Sequence, residues 1–167
     1  LHLHTSGVLL ERMAERVAST FSRVIVSLDA HEEAAYRAIR GVNALQTIER
    51  GVARVRELAP ALPMSARSTL HRRNFRELPK LIEHAKAMSL DSISFLAADT
   101  ASAAFGRTPG APGHDLTLTR EEIVEFADLV ERTIVDCEDD FAGGFVSESP
   151  ERLRNLPRHY AALAGLG

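Results

Sequence analysis

Residues 23–28 constrain the fold of this chain more than any other segment. They form a nearly continuous apolar and β-branched run that is interrupted by Ser27 and followed by Asp29. Such a run is typical of a strand that is buried on both faces of a parallel sheet. Ligands bind beyond the carboxyl ends of strands in parallel α/β folds. We therefore expect the hydroxyl of Ser27 and the carboxylate of Asp29 to lie at a site for a polar small molecule.

Strand and helix patterns alternate along the first hundred residues. The patterns predict strands at residues 1–5, 23–28, 64–70 and 92–97, and helices at residues 8–19, 32–39, 43–58 and 74–89. This order indicates a parallel sheet with right-handed crossovers, and four strands are too few to close a barrel. The predicted fold class is therefore α/β, with residues 1–98 forming a parallel-stranded fragment of a (β/α) TIM barrel.

The pattern changes after residue 98. Residues 99–118 carry several glycines and prolines and are predicted to form a long loop, a candidate lid or substrate contact. Thr119 and Glu122 have the spacing of a capping box for a helix that runs to about residue 135. A final basic helix is predicted after Ser149, with Pro157 interrupting it. Residues 119–167 are thus expected to form a helical extension toward a C-terminal domain.

Composition narrows the class of partner. The net charge is −3, so bulk charge gives no reason to expect a nucleic-acid partner. No apolar run approaches the roughly 18 residues that a membrane span needs, so no membrane partner is expected. Cys137 is the only cysteine, which excludes a disulfide framework and favours a reducing, cytoplasmic location.

The histidines and the cysteine give no metal site or nucleophile. His2 and His4 have a spacing that puts both on one face of the first strand, where a pair can chelate a metal. No third ligand lies near them in the sequence, so packing or hydrogen bonding is the favoured interpretation. Cys137 lies in the acidic run 136–140 without a base or a cation beside it, which argues against a nucleophile.

Two arginines are candidates for ligand binding. Arg67 lies in the middle of a predicted strand between small residues, where it cannot easily reach water, so it needs an anionic partner. That partner is either a carboxylate of the sheet or the carboxylate of a ligand, for which a guanidinium is suited. Arg40 precedes Gly41 at a predicted helix end, and it either pairs with Asp29 or reaches substrate. Asp29 itself is either a cap for the helix near residue 32 or a ligand contact.

Two turns follow predicted strands. The turn TSG at residues 5–7 has a plain interpretation as a polar turn in which Ser6 caps the next helix. The basic segment HRRN at residues 71–74 is expected to be a solvated loop that leads into a helix. In that segment Asn74, with Glu77, has the spacing of a capping box.

Taken in order, these segments resemble radical S-adenosylmethionine (SAM) enzymes. VSLD and IRG are similar to the family's V-S-L-D-G … I-R-G pattern, TSG to its T-N-G turn, and HRRN to its V-x-R-x-N turn. The resemblance covers residues 1–98. It implies that Arg67 binds the methionyl carboxylate of SAM and that Arg40 contacts substrate or is structural. The residues that it implies in SAM binding are Thr5, Ser6, Gly7, Ser27, Asp29, Arg67 and Leu96.

The resemblance also implies a chemistry. A radical SAM enzyme reductively cleaves SAM at a [4Fe–4S] cluster, and the resulting 5′-deoxyadenosyl radical abstracts hydrogen from a small-molecule or peptide substrate. The electron donor would be a flavodoxin or a ferredoxin. The family's C-x-x-x-C-x-x-C motif is absent from this sequence. We therefore expect the cluster ligands to lie outside this fragment, which would be inactive alone. The segment after Phe145 resembles the region that leads into an auxiliary-cluster domain in some subfamilies.

Two other functions stay open at this stage. A TIM-barrel lyase or aldolase would use Asp29 and Arg67 on an anionic substrate, although Lys80 and Lys86 lie on a predicted helix and neither suits a Schiff base. A non-catalytic binding module with a barrel-derived scaffold is the third hypothesis. Iron in the full-length protein would separate the radical SAM enzyme from both alternatives.

Overall fold

The structure is a computed structural model that describes residues 1–99 and 116–166. Most of the loop predicted at residues 99–118 lies outside the described residues. A short 3-10 helix (Phe75–Glu77) precedes α4. In chain order, the strands and α-helices are β1 (His2–Thr5), α1 (Ala14–Thr20), β2 (Arg23–Ser27), α2 (Glu33–Arg40), α3 (Leu45–Leu58), β3 (Met64–Leu70), α4 (Leu78–Ala87), β4 (Ser92–Ala97), α5 (Arg120–Asp136), α6 (Glu138–Ala142) and α7 (Pro150–Leu163).

The four strands form one parallel sheet in the order β1-β2-β3-β4. The predicted α/β class is therefore confirmed, and the predicted bounds of β3 and β4 agree with the structure. The outer edge of β4 is extended by a parallel bridge between Ile93 and Val146. Among the described helices, none combines the length and the apolarity that crossing a membrane requires.

The two faces of the sheet differ in burial. One face, which we call the covered face, belongs to the hydrophobic core. Its buried residues include Val24, Val26, Met64, Ala66, Ile93 and Phe95. The other face, which we call the open face, keeps its residues partly or fully exposed. They include His4, Ile25, Ser27, Ser65, Arg67, Ser92, Ser94 and Leu96.

The expectation that β2 is buried on both faces was wrong. Val24 and Val26 are fully buried, whereas Ile25 and Ser27 between and beyond them stay partly exposed. The reason is that the described part of the chain builds its core on one side of the sheet only. Because residues 24–26 are all apolar, the residue types alone do not reveal that burial alternates along β2.

The C-terminal helices complete the same core. Phe126 of α5 packs against Phe75 with ring centroids 5.2 Å apart and against Tyr160 of α7 at 6.5 Å. The predicted capping box at the start of α5 is confirmed, since Thr119 Oγ1 accepts from the Glu122 amide and Glu122 Oε2 accepts from the Thr119 amide. Helix α7 therefore packs against β4, and α5 packs against α7, α4 and the 3-10 helix.

Two predicted helix boundaries were wrong for reasons of packing. Residues 8–13 form successive turns, and α1 begins only at Ala14, so Ser6 does not cap it. These turns lie against α3 so closely that a Cβ on Gly51 would come within 2.8 Å of the Glu11 amide nitrogen. Helix α7 continues through Pro157, which is buried, so packing there compensates for the lost backbone hydrogen bond.

Candidate functional site

A row of polar residues crosses the open face from the carboxyl end of β2 to the middle of β3 and of β4. The strand register places Ser27 beside Arg67 and Arg67 beside Ser94. The Arg67 Nε donates to Ser94 Oγ at 3.2 Å, and Ser94 Oγ lies 3.4 Å from the Ala66 carbonyl oxygen. Two hydroxyls therefore flank one guanidinium on the open face, level with the carboxyl end of β2.

Arg67 has the character of an anion-binding residue. It is half-buried, and within residues 1–99 and 116–166 no carboxylate comes close enough to form an ion pair with it. The sequence left open whether its partner is a carboxylate of the sheet or of a ligand. Since the described sheet supplies none, the guanidinium has hydrogen-bonding capacity for an external anion.

Asp29 joins three elements just beyond β2. One carboxylate oxygen, Oδ1, accepts from the Thr69 amide at 2.9 Å, and Oδ2 pairs with Arg40 Nη2 at the end of α2. Asp29 is only 3% exposed. Of the two roles that the sequence allowed for Arg40, the structure shows the pair with Asp29. Asp29 does not cap α2, whose N-cap at Glu32 has no side-chain hydrogen bond.

The turn after β3 is built around the side chain of Asn74. Its Oδ1 accepts from the His71 amide at 2.8 Å, and its Nδ2 donates to the carbonyls of Asp29 at 3.0 Å and Thr69 at 3.1 Å. The predicted capping box of Asn74 with Glu77 was therefore wrong, because this amide closes the turn instead of capping a helix. The expectation of a solvated loop was also wrong, since His71 and Asn74 are both buried.

The histidine of this turn is held neutral by its surroundings. The His71 Nδ1 accepts from the Arg73 amide at 3.1 Å, which requires an unprotonated nitrogen. Burial lowers the pKa of His71 below its ordinary value of 6.5, and the nearby Asp29 carboxylate opposes that effect. His71 therefore stabilises the turn as a neutral acceptor.

The first predicted turn lies on the covered side of the sheet. The Thr5 side chain accepts from the Gly7 amide at 3.0 Å, and Gly7 adopts a positive φ of 83°. A Cβ at Gly7 would lie 2.9 Å from the Ile48 side chain, so this position favours glycine. Ser6 is exposed. Of this turn, only Ser6 has a side chain that is free to reach a ligand.

The end of β4 combines an exposed apolar side chain with a buried hydroxyl. Leu96 is 46% exposed on the open face. Tyr160 of α7 is fully buried and donates its hydroxyl to the Leu70 carbonyl at 2.6 Å, while accepting from the Ala98 amide at 2.9 Å. This tyrosine ties the carboxyl ends of β3 and β4 together from the core.

A carboxylate also lies at this edge. Glu148 follows the bridge to β4, and its Oε2 accepts from the Phe95 amide at 3.0 Å. Burial raises the pKa of Glu148 above its ordinary value of 4.5, while the Phe95 hydrogen bond and the charges of Arg67 and Arg152 act to lower it. Sequence reasoning gave Glu148 and Tyr160 no role in the site, since each reaches it from more than fifty residues away in sequence.

The described residues do not form a metal or cluster site. His2 and His4 are exposed, and no group of three or more potential metal ligands occurs within the described part of the chain. Burial raises the pKa of the Cys137 thiol, which disfavours the thiolate that a metal binds. A [4Fe–4S] cluster does not fit this residue set.

Comparison with family models and with curated proteins does not indicate a function for this chain, so a functional proposal depends on the site. No family model matches the chain. No curated protein matches it either. What the site offers chemically is a guanidinium that lies between two hydroxyls and has no ion-pair partner in residues 1–99 and 116–166, an exposed leucine on the same face, and a buried polar network that fixes the strand ends.

Proposed function

We propose that this chain is the SAM-binding part of a radical SAM enzyme and forms a fragment of its (β/α) TIM barrel. The observation that carries the proposal is Arg67, a half-buried guanidinium without a carboxylate partner among the described residues, on the open face of a parallel sheet beside the last residue of β2. Such a group is suited to a carboxylate ligand. A parallel sheet in sequential order also agrees with a barrel segment, in which successive strands are neighbours and ligands bind at their carboxyl ends.

In this proposal the residues of the open face bind SAM directly. Arg67 binds the methionyl carboxylate, and Ser27 offers its hydroxyl to the ribose. Leu96 offers apolar surface to the adenine, and Ser6 is within the turn that closes the site on the side of β1. These residues would hold SAM for reductive cleavage at a cluster outside this chain, which would supply a radical for hydrogen abstraction from a small-molecule or peptide substrate.

The buried polar residues position these groups. Both Asp29 oxygens already have partners within the protein, so we assign Asp29 and Arg40 to holding the ends of β2 and β3 in place. Thr5 and Gly7 shape the first turn in the same way. Because a small misplacement of binding groups weakens catalysis strongly, this support belongs to the function even though it touches no ligand.

The cluster of such an enzyme would not be held by this chain. Cys137 is its only cysteine, and cluster binding needs several thiolates. We assign the ligands of the cluster and the contact with a flavodoxin or ferredoxin to sequence outside this chain. The residues described here would bind and orient SAM and exclude water from it.

The test is SAM affinity in the full-length natural protein. Arg67→Ala should weaken SAM binding by about 10- to 100-fold, as expected for the loss of hydrogen bonds from a charged donor. Arg54→Ala is the matched control, because Arg54 lies on α3 and contacts Glu57 on the exposed side. Isothermal titration calorimetry under anaerobic conditions measures both.

Three outcomes separate the candidate functions. Unchanged SAM affinity in Arg67→Ala would remove Arg67 from the site. A full-length protein that lacks iron and does not bind SAM would contradict the proposal as a whole. In that case, turnover of a carboxylated or phosphorylated substrate would indicate the lyase or aldolase, and its absence would favour the binding module.

A further inference from the structure

Glu148 is fixed at the edge of the sheet by backbone hydrogen bonds. The Ile93 amide donates to the Phe145 carbonyl at 2.8 Å, and the Ser147 amide donates to the Ile93 carbonyl at 2.9 Å. The next outward amide of β4, at Phe95, donates to the Glu148 carboxylate instead of to a backbone carbonyl. The side chain of Glu148 thus completes the edge of the sheet and cannot swing away without leaving that amide unpaired.

Glu148 and Arg67 are opposite charges that lie near each other without pairing. Arg67 donates to Ser94, and Glu148 accepts from the amide of Phe95, the next residue of β4, yet the two charged groups do not approach within the 4.0 Å of an ion pair. The charges of Arg67 and of Arg152, at the start of α7, both act to lower the pKa of Glu148. Neither Arg67 nor Glu148 has an ion-pair partner among the described residues. Ser94 and Phe95, adjacent in β4, connect the two by hydrogen bonds.

We propose that Glu148 makes the Arg67 subsite selective for zwitterions, meaning ligands that carry an ammonium beside their carboxylate. A fixed carboxylate near the binding arginine repels a plain carboxylate or phosphate, and a ligand that brings its own positive charge removes that repulsion. The inference rests on the proposed function, in which the ligand is the α-amino acid end of SAM. Glu148 is then a specificity-determining residue at the same site.

Partial burial makes this selection effective. A charge at the surface would be screened by water and salt, whereas desolvated charges interact more strongly. Glu148 is desolvated enough for burial to dominate its pKa, and Arg67 is half-buried. The described part of the chain therefore holds two partly desolvated charges without ion-pair partners near β4, an arrangement that a zwitterionic ligand would neutralise.

The test compares two ligands that differ only in the ammonium group. Methionine and 4-(methylthio)butanoate are titrated into the full-length protein by calorimetry. The wild type should bind methionine about tenfold more tightly or better, since a mispaired charge in a partly buried site is costly. In Glu148→Gln, this preference should fall close to parity. The glutamine keeps an acceptor for the Phe95 amide and removes only the charge.

A matched variant controls for the change in net charge. Glu151→Gln removes a carboxylate that is exposed on α7 and pairs with Arg158 and Arg154, three residues after Glu148. Its preference for methionine should equal that of the wild type. The wild-type preference should also decline as the pH falls through the raised pKa of Glu148, which tests the same charge without any substitution.

The outcomes distinguish this inference from the proposed function. If the wild type binds SAM and methionine but Glu148→Gln keeps the full preference, the selectivity does not come from Glu148 and the inference is overturned. Equal binding of both ligands by the wild type overturns it as well. If the wild type binds neither SAM nor methionine, the proposed function fails and the inference fails with it.

Discussion

The covered face and the open face of the sheet are built from alternate residues of the same strands, yet they differ in burial and, in our proposal, in function. In β4, Ile93 and Phe95 belong to the hydrophobic core, while Ser92 and Ser94 between them stay partly exposed. In β3, Met64 and the residues that alternate with it face the core in the same way. Stability therefore resides on one face, and the other face is available for binding.

This difference also explains the unusual composition of the sheet. A parallel sheet normally has both faces covered by apolar residues. Here the open face carries serines and Arg67, which would be poor core residues but suit a polar ligand. Because the two faces use alternate residues, a substitution on the open face should have little effect on stability, and a substitution on the covered face should lower it. Substitutions of single residues can test this expectation.

Adjacent residues of β4 provide the sharpest test and the largest expected effect. Phe95 is 1% exposed on the covered face, and Leu96 next to it is 46% exposed. Phe95→Ala should lower the free energy of unfolding by about 3–5 kcal/mol, because it removes a buried aromatic ring and leaves a cavity. Leu96→Ala should lower it by about 0.5 kcal/mol or less. Urea denaturation measures both.

The opposite pattern in ligand binding would complete this test. Leu96→Ala should weaken SAM binding in the full-length protein, since the exposed side chain is assigned to the adenine. If the two substitutions destabilise the protein equally, the open face is covered in the native protein, and the contrast between the faces does not hold.

A second test compares two polar residues at the end of β2 and just beyond it, the partly exposed Ser27 and the buried Asp29. Asp29→Ala should lower the free energy of unfolding by about 1–3 kcal/mol, because the Thr69 amide loses its acceptor in a buried place. Ser27→Ala, two residues earlier and partly exposed, should change it by about 0.5 kcal/mol or less. Thermal and urea unfolding of both variants give the comparison.

A small effect of Asp29→Ala would be informative. It would mean that the contacts of Asp29 with Thr69 and Arg40 contribute little to folding. A direct contact of Asp29 with SAM, which the family resemblance implies, would then be the better explanation of this carboxylate.

The sequence predicts much of the fold because its strongest signals are local. Alternation of residue types and flanking turns located β3 and β4 with the correct bounds. The capping box at Thr119 was found because its two partners are three residues apart. The order of strands and helices then predicted the parallel sheet, since few topologies satisfy such an alternation.

Long-range contacts account for what the sequence did not predict. Helix α1 begins late because residues 8–13 lie against Gly51, an approach that no local pattern signals. Asn74 has the spacing of a cap, but its amide bonds to Asp29, which is 45 residues away. Glu148 and Tyr160 reach the strand ends across 53 and 62 residues. A site assembled from such contacts needs the fold before its members can be named.

The smallest expected effect is on the pH dependence of the free energy of unfolding. It tests whether the polar side chain of His71 stays as buried as the core residues. Burial lowers the pKa of His71 below 6.5, so the unfolded chain binds a proton more readily than the folded one. The stability that His71 contributes is therefore fully present above about pH 6.5 and is lost as the pH falls toward the lowered pKa of the folded state. Groups facing it are Asp29, which opposes the shift, and Arg73 and Arg40, which favour it.

The measurement is the free energy of unfolding of the wild type and His71→Asn between about pH 7.5 and pH 5.5. The wild type should lose more stability than the variant over this range, because the unfolded chain takes up a proton at His71 at a higher pH than the folded chain does. His159→Asn, at an exposed histidine of α7, should retain the wild-type slope. Parallel curves for the wild type and His71→Asn would mean that His71 is free to protonate and that its turn opens to solvent like the open face.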